Sequence, residues 1–306
     1  MVYALRTFNL TKELKNKVIL DNLNINIKKG EIYGFLGENG SGKTTTIKLI
    51  VNLLKPTSGS IEFFGEPIEL NRNEVFKRIG SVIEYPAFYE TLTARENLHI
   101  HKTLMGYEDK NCIDYALNLV KLDNFEGKLV KEFSLGMKQR LGIARAILTK
   151  PDFLILDEPI NGLDPMGIKH IRDLLITLSK KHGITILISS HILSEIEQIA
   201  DTIGIIHKGK LIEEIDYEAI QSKNKHSIEV VVNDVNKATF LLTEKMSITN
   251  FIVDGPNKIR IYEKLDDSVA INKLLTMNEV EVQSLSIKKD SLEDHFISLI
   301  GGNKNA

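Results

Sequence analysis

Two short stretches concentrate residue types that could do chemistry together. The first, Gly37-Glu38-Asn39-Gly40-Ser41-Gly42-Lys43-Thr44, has the spacing G-x-x-x-x-G-K-[ST]. A triphosphate carries several negative charges, so backbone N–H groups must converge on it, and residues without a Cβ let the backbone approach that closely. The glycines supply the approach. Lys43 is expected on the β- and γ-phosphates and the Thr44 hydroxyl on Mg²⁺. A β-branched run, Glu31–Leu36, precedes the octapeptide, and apolar positions Ile47, Leu49, Ile50, Leu53 and Leu54 follow at helical spacing. A helix beginning near Gly42 would add free N–H groups and the positive end of its dipole. The G-x-G-x-x-G spacing of a dinucleotide site is absent from this segment.

The second stretch is Phe153-Leu154-Ile155-Leu156-Asp157-Glu158, a buried-type strand ending in two adjacent acids. Open α/β sheets bind ligands at the carboxyl ends of their strands. Asp157 is expected to hold Mg²⁺ there, while Glu158 orients the attacking water and accepts its proton. In isolation the pair would read equally as a solvated acidic loop; the phosphate cradle upstream favours hydrolysis.

These residues need a scaffold, and the first 217 residues describe one. Short apolar runs alternate with helical patterns, and 153–156 and 185–188 are apolar without alternation, as strands covered on both faces are. The expectation is an α/β domain with a mainly parallel interior sheet, strands at Glu31–Leu36, Phe153–Leu156, Ile184–Ser189 and Thr202–His207, and a helical insert between Arg95 and Leu148. A polar stretch within 218–225 reads as a linker. From 226 to 306 the order strand, helix, strand, strand, helix, strand predicts a small ferredoxin-like α+β domain, closed by a last helix over Ser291–Ile300.

Bulk properties narrow the class. With 42% hydrophobic and 26% charged residues the chain has the balance of an ordinary globular protein. A net charge of -2 gives no clustered basic footprint, so no nucleic-acid partner is expected. The single cysteine, Cys112, reads as a buried small hydrophobe in a reducing compartment. The N-terminal segment carries no signal-peptide pattern, and no run of about 18 apolar residues occurs, so any work at a membrane requires a partner.

Further motifs resemble those of ABC transporter ATPases over roughly residues 1–215. Phe133-Ser134-Leu135-Gly136-Met137-Lys138-Gln139-Arg140 is similar to the family's signature segment, L-S-G-G-Q, with Ser134 and Gly136 matching and Leu135 and Met137 departing. Asn161-Gly162-Leu163-Asp164 resembles the D-loop, His191 the switch histidine, and Glu84 stands at the position of the Q-loop glutamine. The resemblance implies nucleotide contacts from Ser134, Gly136 and Asp164, a catalytic part for His191 beside Glu158, and a part for Glu84 at the metal. Structural alternatives stand beside these: Ser134 as a helix cap, His191 as a hydrogen-bonded strand-end residue, Glu84 as a polar turn residue before Pro86.

In the family the signature of one subunit closes over ATP held by the cradle of another. One set of motifs per chain therefore implies a homodimer or a sister ATPase subunit. It also implies a separate transmembrane permease and a place on the cytoplasmic face of the cell membrane. The segment Leu135–Arg140 and the ending Ser291-Leu292-Glu293-Asp294-His295-Phe296 resemble the drug and peptide-antibiotic exporters, including bacitracin- and lantibiotic-type systems. The alternative is a soluble ABC-type regulatory ATPase acting on ribosomes or DNA.

Overall fold

The computed structural model describes residues 2–125, 127–216 and 226–289. Backbone contacts divide the chain into two compact units, Met1–Glu218 and Ala219–Ala306. The expected linker and the expected helix over Ser291–Ile300 lie outside the described residues.

The first unit is built on a six-stranded sheet with the order Lys210–Asp216, Thr202–His207, Ile32–Leu36, Thr185–Ser190, Phe153–Asp157, Ile79–Val82. All neighbours pair in parallel except the first two, which form an antiparallel hairpin. The central strands are apolar on both faces because both faces are covered: every residue of Ile32–Leu36, Phe153–Asp157 and Thr185–Ser190 is buried.

An antiparallel layer packs over the helix that follows the phosphate loop. It comprises Tyr3–Leu14, Lys17–Leu23, Asn26–Lys28, Ser58–Phe63 and Glu66–Pro67. Its Leu5, Leu10, Leu20 and Phe63 share one core cluster with Ile47, Phe35 and Phe153. The Phe63 ring meets Phe153 edge-on at 5.7 Å, a favoured aromatic geometry. Residues 3–14 alternate unevenly between apolar and polar, with register shifts in both long pairings, and so give a weak strand signal in sequence.

The insert contains the helices Ala94–Leu104, Cys112–Leu119 and Leu135–Ile147. Thr93 starts the first of these with a capping box: its hydroxyl accepts from Glu96 N and the Glu96 carboxylate accepts from Thr93 N.

The second unit has the order strand His226–Val232, helix Val235–Met246, strands Phe251–Val253 and Lys258–Ile261, helix Ser268–Met277 and strand Val282–Lys289. Its sheet runs Phe251–Val253, Lys258–Ile261, His226–Val232, Val282–Lys289, with every adjacent pair antiparallel. Ile228, Val230, Leu242, Ile259, Ile271 and Leu275 form its own core. Ser247, at φ +52, ends the first helix as Ile248 N bonds back to Leu242 O, and the next strand begins at Phe251.

Candidate active site

Strand order alone brings the two chemical stretches together. The strand entering the phosphate loop and the strand ending in the acids both pair with Thr185–Ser190, one on each side. The register sets Phe35 opposite Ser189 and Leu36 opposite Ser190, while Asp157 faces Ser189 from the other edge.

The loop from Gly37 to Gly42 leads into a helix over Lys43–Ile50 that has no side-chain cap at its N-terminus, which leaves its first N–H groups to a ligand. The glycines are required in different ways. A Cβ on Gly37 would lie 2.4 Å from Ile206 O, and Gly42 sits at φ +115 with a Cβ position 2.6 Å from Leu20 Cδ2. Gly40 takes φ +80 in open space, so there the demand is conformational. The helix is shorter than its apolar spacing predicts. It stops at Ile50, Asn52 turns left-handed at φ +60, and Leu53 is 64% exposed.

Lys43 is 5% exposed, and its Nζ bonds Gly37 O at 2.6 Å and Glu38 O at 3.2 Å. It also lies 3.3 Å from Glu158 Oε1. The other carboxylate oxygen of Glu158 is 2.9 Å from His191 Nδ1. Glu158 is thus held between a cation from the loop and an imidazole from the neighbouring strand's end. Its backbone, at φ +49, is in a region non-glycine residues seldom adopt.

One hydroxyl organises the acid pair. Ser189 Oγ donates to Asp157 Oδ1 at 2.6 Å and accepts from Glu158 N at 2.9 Å. Ser189 is fully buried and Asp157 is 4% exposed. Sequence reasoning passed over Ser189 because its importance lies in its register between two strands distant in the chain. The Ser-Ser-His ending beside an acid-tipped strand is its only trace.

Two observations fit a triphosphate with a hard cation. Ser41 Oγ is buried among the loop atoms with no hydrogen-bond partner among the described residues. Thr44 and Asp157 offer a hydroxyl and a carboxylate, the oxygen donors that Mg²⁺ takes alongside phosphate oxygens. Among the described residues, no group of three or more His, Cys, Asp or Glu is placed to hold a metal ion. Glu84, which the resemblance assigned to the metal, has its Oε1 2.7 Å from Lys48 Nζ, on the last turn of the cradle helix, and its side chain is 63% exposed.

Ser134 and Asp164 are both exposed N-caps. Ser134 Oγ accepts from Met137 N at 3.3 Å, and Asp164 Oδ1 accepts from Gly167 N at 2.9 Å. The two turns adjoin: a Cβ on Gly136 would be 3.7 Å from Leu163 Cδ2, and one on Gly162 would be 3.3 Å from Leu135 Cδ2. Within the chain the structure therefore joins Lys43, Asp157, Glu158 and His191 in one cluster, and Ser134, Gly136 and Asp164 in another.

Residues 20–161 match the family model described as ABC transporter. An uncharacterized ABC transporter ATP-binding protein of Bacillus subtilis (strain 168) is 53% identical over 303 residues, 99% of each chain. The chain belongs to the ABC transporter ATP-binding family. A bacitracin transport ATP-binding protein of Bacillus licheniformis is 51% identical over 302 residues, again 99% of each. Among solved structures, a component of an ABC transporter complex from Clostridium perfringens superposes with a TM-score of 0.67 at 29% identity, covering 73% of this chain and 92% of that one. A dimeric ATP-binding cassette in a post-hydrolysis state, bound to ADP and Pi, gives 0.62 at 27% identity, covering 70% and 98%. The first unit is accordingly an ABC ATPase of the P-loop α/β fold, and the chain is an ATP-binding ABC subunit.

Proposed function

We propose that this chain hydrolyses ATP to energise export of a drug or antimicrobial peptide through a separate membrane permease, working as a pair of cassettes at the cytoplasmic face of the membrane. The observation that carries the hydrolytic part is the setting of Glu158, braced by Lys43 Nζ at 3.3 Å and His191 Nδ1 at 2.9 Å, with its N–H fixed by Ser189. A base steered from three sides can orient a water toward the γ-phosphate with little reorganisation. Gly37–Thr44 bind the phosphates, and Thr44 and Asp157 would hold Mg²⁺. When bound, the cation neutralises charge on the β- and γ-oxygens.

The export reading is supported by the relatives' names: two bacitracin transport proteins, a lantibiotic transport protein of Streptococcus pyogenes and a daunorubicin/doxorubicin resistance protein of Streptomyces peucetius. No helix among the described residues is long and apolar enough to cross a membrane, and the substrate path in this reading belongs to the permease. A cavity of about 330 Å³ lined by Phe88, Tyr89, Ile100 and Leu104 together with the polar Asn97, His101 and Arg145 offers such a partner a seat, with Tyr89 and Leu104 largely exposed.

Glu158→Gln tests the reading. Equilibrium ATP binding should match the parent, while steady-state hydrolysis should fall by about 10²- to 10⁴-fold, the range for losing a general base. Near-parental turnover would remove Glu158 from this role.

A further inference from the structure

The hairpin tip joining Thr202–His207 to Lys210–Asp216 stands behind the phosphate loop. Lys208 at φ +47 and Gly209 at φ +79 make a two-residue turn with both central residues left-handed. Gly209 N donates to Ser41 O at 2.8 Å, and Gly209 O accepts from Asp21 N at 2.9 Å, so the tip bridges the loop and the strand Lys17–Leu23. A Cβ on Gly209 would lie 2.2 Å from Ile19 O, which fixes glycine at that place.

At the edge of this contact is His207, its side chain 13% exposed, with Nδ1 3.8 Å from Glu38 Oε2. That separation is longer than a hydrogen bond, and across it an imidazole attracts a carboxylate as a charge only when it carries its second proton. Glu38 is the incongruous residue of the cradle: a carboxylate, 60% exposed, on a loop whose backbone gathers anions. Lys43 Nζ is bonded to the Glu38 carbonyl oxygen and does not neutralise its carboxylate. Left free, that carboxylate would raise the negative charge beside a polyphosphate and repel it.

We propose that His207 is a positioning residue for nucleotide binding, holding the Glu38 carboxylate on the hairpin side of the loop and off the path of the polyphosphate. The proposal rests on the reading of Gly37–Thr44 as an ATP cradle. Nothing in the catalytic cluster around Glu158 is required for it.

The test is a titration of the full chain with a fluorescent ATP analogue, together with steady-state ATPase rates, at low and at high salt. His207→Ala should raise Kd and KM about two- to fivefold, the scale of one exposed ion pair, with kcat following the parent. The effect should shrink as salt screens it. In a Glu38→Gln background the same His207→Ala change should leave Kd where it is.

Equal weakening in both backgrounds would make His207 a packing residue and overturn the proposal, as would an unchanged Kd in His207→Ala. Lys43→Ala separates this from failure of the cradle itself. If that variant keeps full affinity the cradle reading falls, whereas if it loses affinity while His207→Ala does not, only the role of His207 falls.

Discussion

Ser189 shows how much one side chain can decide. Its hydroxyl has a single proton and two lone pairs, and here the proton goes to Asp157 Oδ1 while a lone pair takes Glu158 N–H. Neither contact has a substitute from water in a residue that is fully buried. Ser189→Ala therefore leaves a buried carboxylate short of a donor and a backbone N–H short of an acceptor. The expected cost is about 1–3 kcal/mol of stability, read from denaturant midpoints. Turnover should fall about 10- to 100-fold, because both acids lose their orientation by a fraction of an ångström. ATP affinity should change less than turnover, since Lys43 and the loop are held by contacts that do not include this hydroxyl. A variant with parental kcat would show that the acids are oriented by other groups.

At the scale of elements, legibility followed the strength of each segment's own signal. The four strands named from apolar runs are found within a residue or two of their expected bounds, because a strand buried on both faces needs unbroken apolarity and advertises it. The layer containing Tyr3–Leu14 was not legible, since bulges and a half-exposed pattern erase the period. The phosphate loop was legible because its glycines answer to steric demands within eight residues, whereas Ser189 and the Lys48–Glu84 pair depend on partners 31 to 36 residues away. Such long-range ties also govern how strands are pinned to one another. Glu31 is 8% exposed at the head of the cradle strand, accepting from Lys28 N and from Thr202 Oγ1 of the adjacent strand. Burial raises its pKa from the ordinary glutamate value, against the two hydrogen bonds that lower it. A carboxyl that holds its proton more tightly when folded contributes most below its unfolded pKa, and that contribution is lost as pH rises through the folded value. Glu31→Gln keeps an acceptor for Lys28 N and removes the ionisation. The variant's melting temperature should consequently gain on the parent's as pH rises above the ordinary glutamate pKa; a gap between the two proteins that stays constant with pH would show that Glu31 does not titrate differently on folding.

For the whole molecule, the separation of the two clusters is the decisive feature. Lys43 and His191 contact Glu158 directly and Asp157 is tied to it through Ser189, while Ser134, Gly136 and the turn ending at Asp164 pack on one another and present exposed caps. A solved relative of the same fold is a dimer with ADP and Pi bound. If the exposed signature turn completes a second copy's cradle, each working site draws on two chains, and the surface is heterologous within each site yet two-fold symmetric in the pair. Mixing two inactive variants tests this directly. Lys43→Ala spoils the cradle of its own chain and leaves the signature intact; Ser134→Arg places bulk and charge at the signature turn, at a cost of about 1 kcal/mol for the lost cap, and leaves the cradle intact. Each alone should hydrolyse ATP negligibly, provided thermal melts show both folded. In a mixed dimer one site pairs two spoiled halves and the other pairs two sound ones, so an equimolar mixture should recover up to about a quarter of parental sites by random pairing. The recovery should rise with protein concentration as dimers form and fall when either variant is in large excess. A mixture that stays silent at concentrations where the parent is active would mean that Ser134 serves its own chain, and that the exposed turn is a helix cap and nothing more.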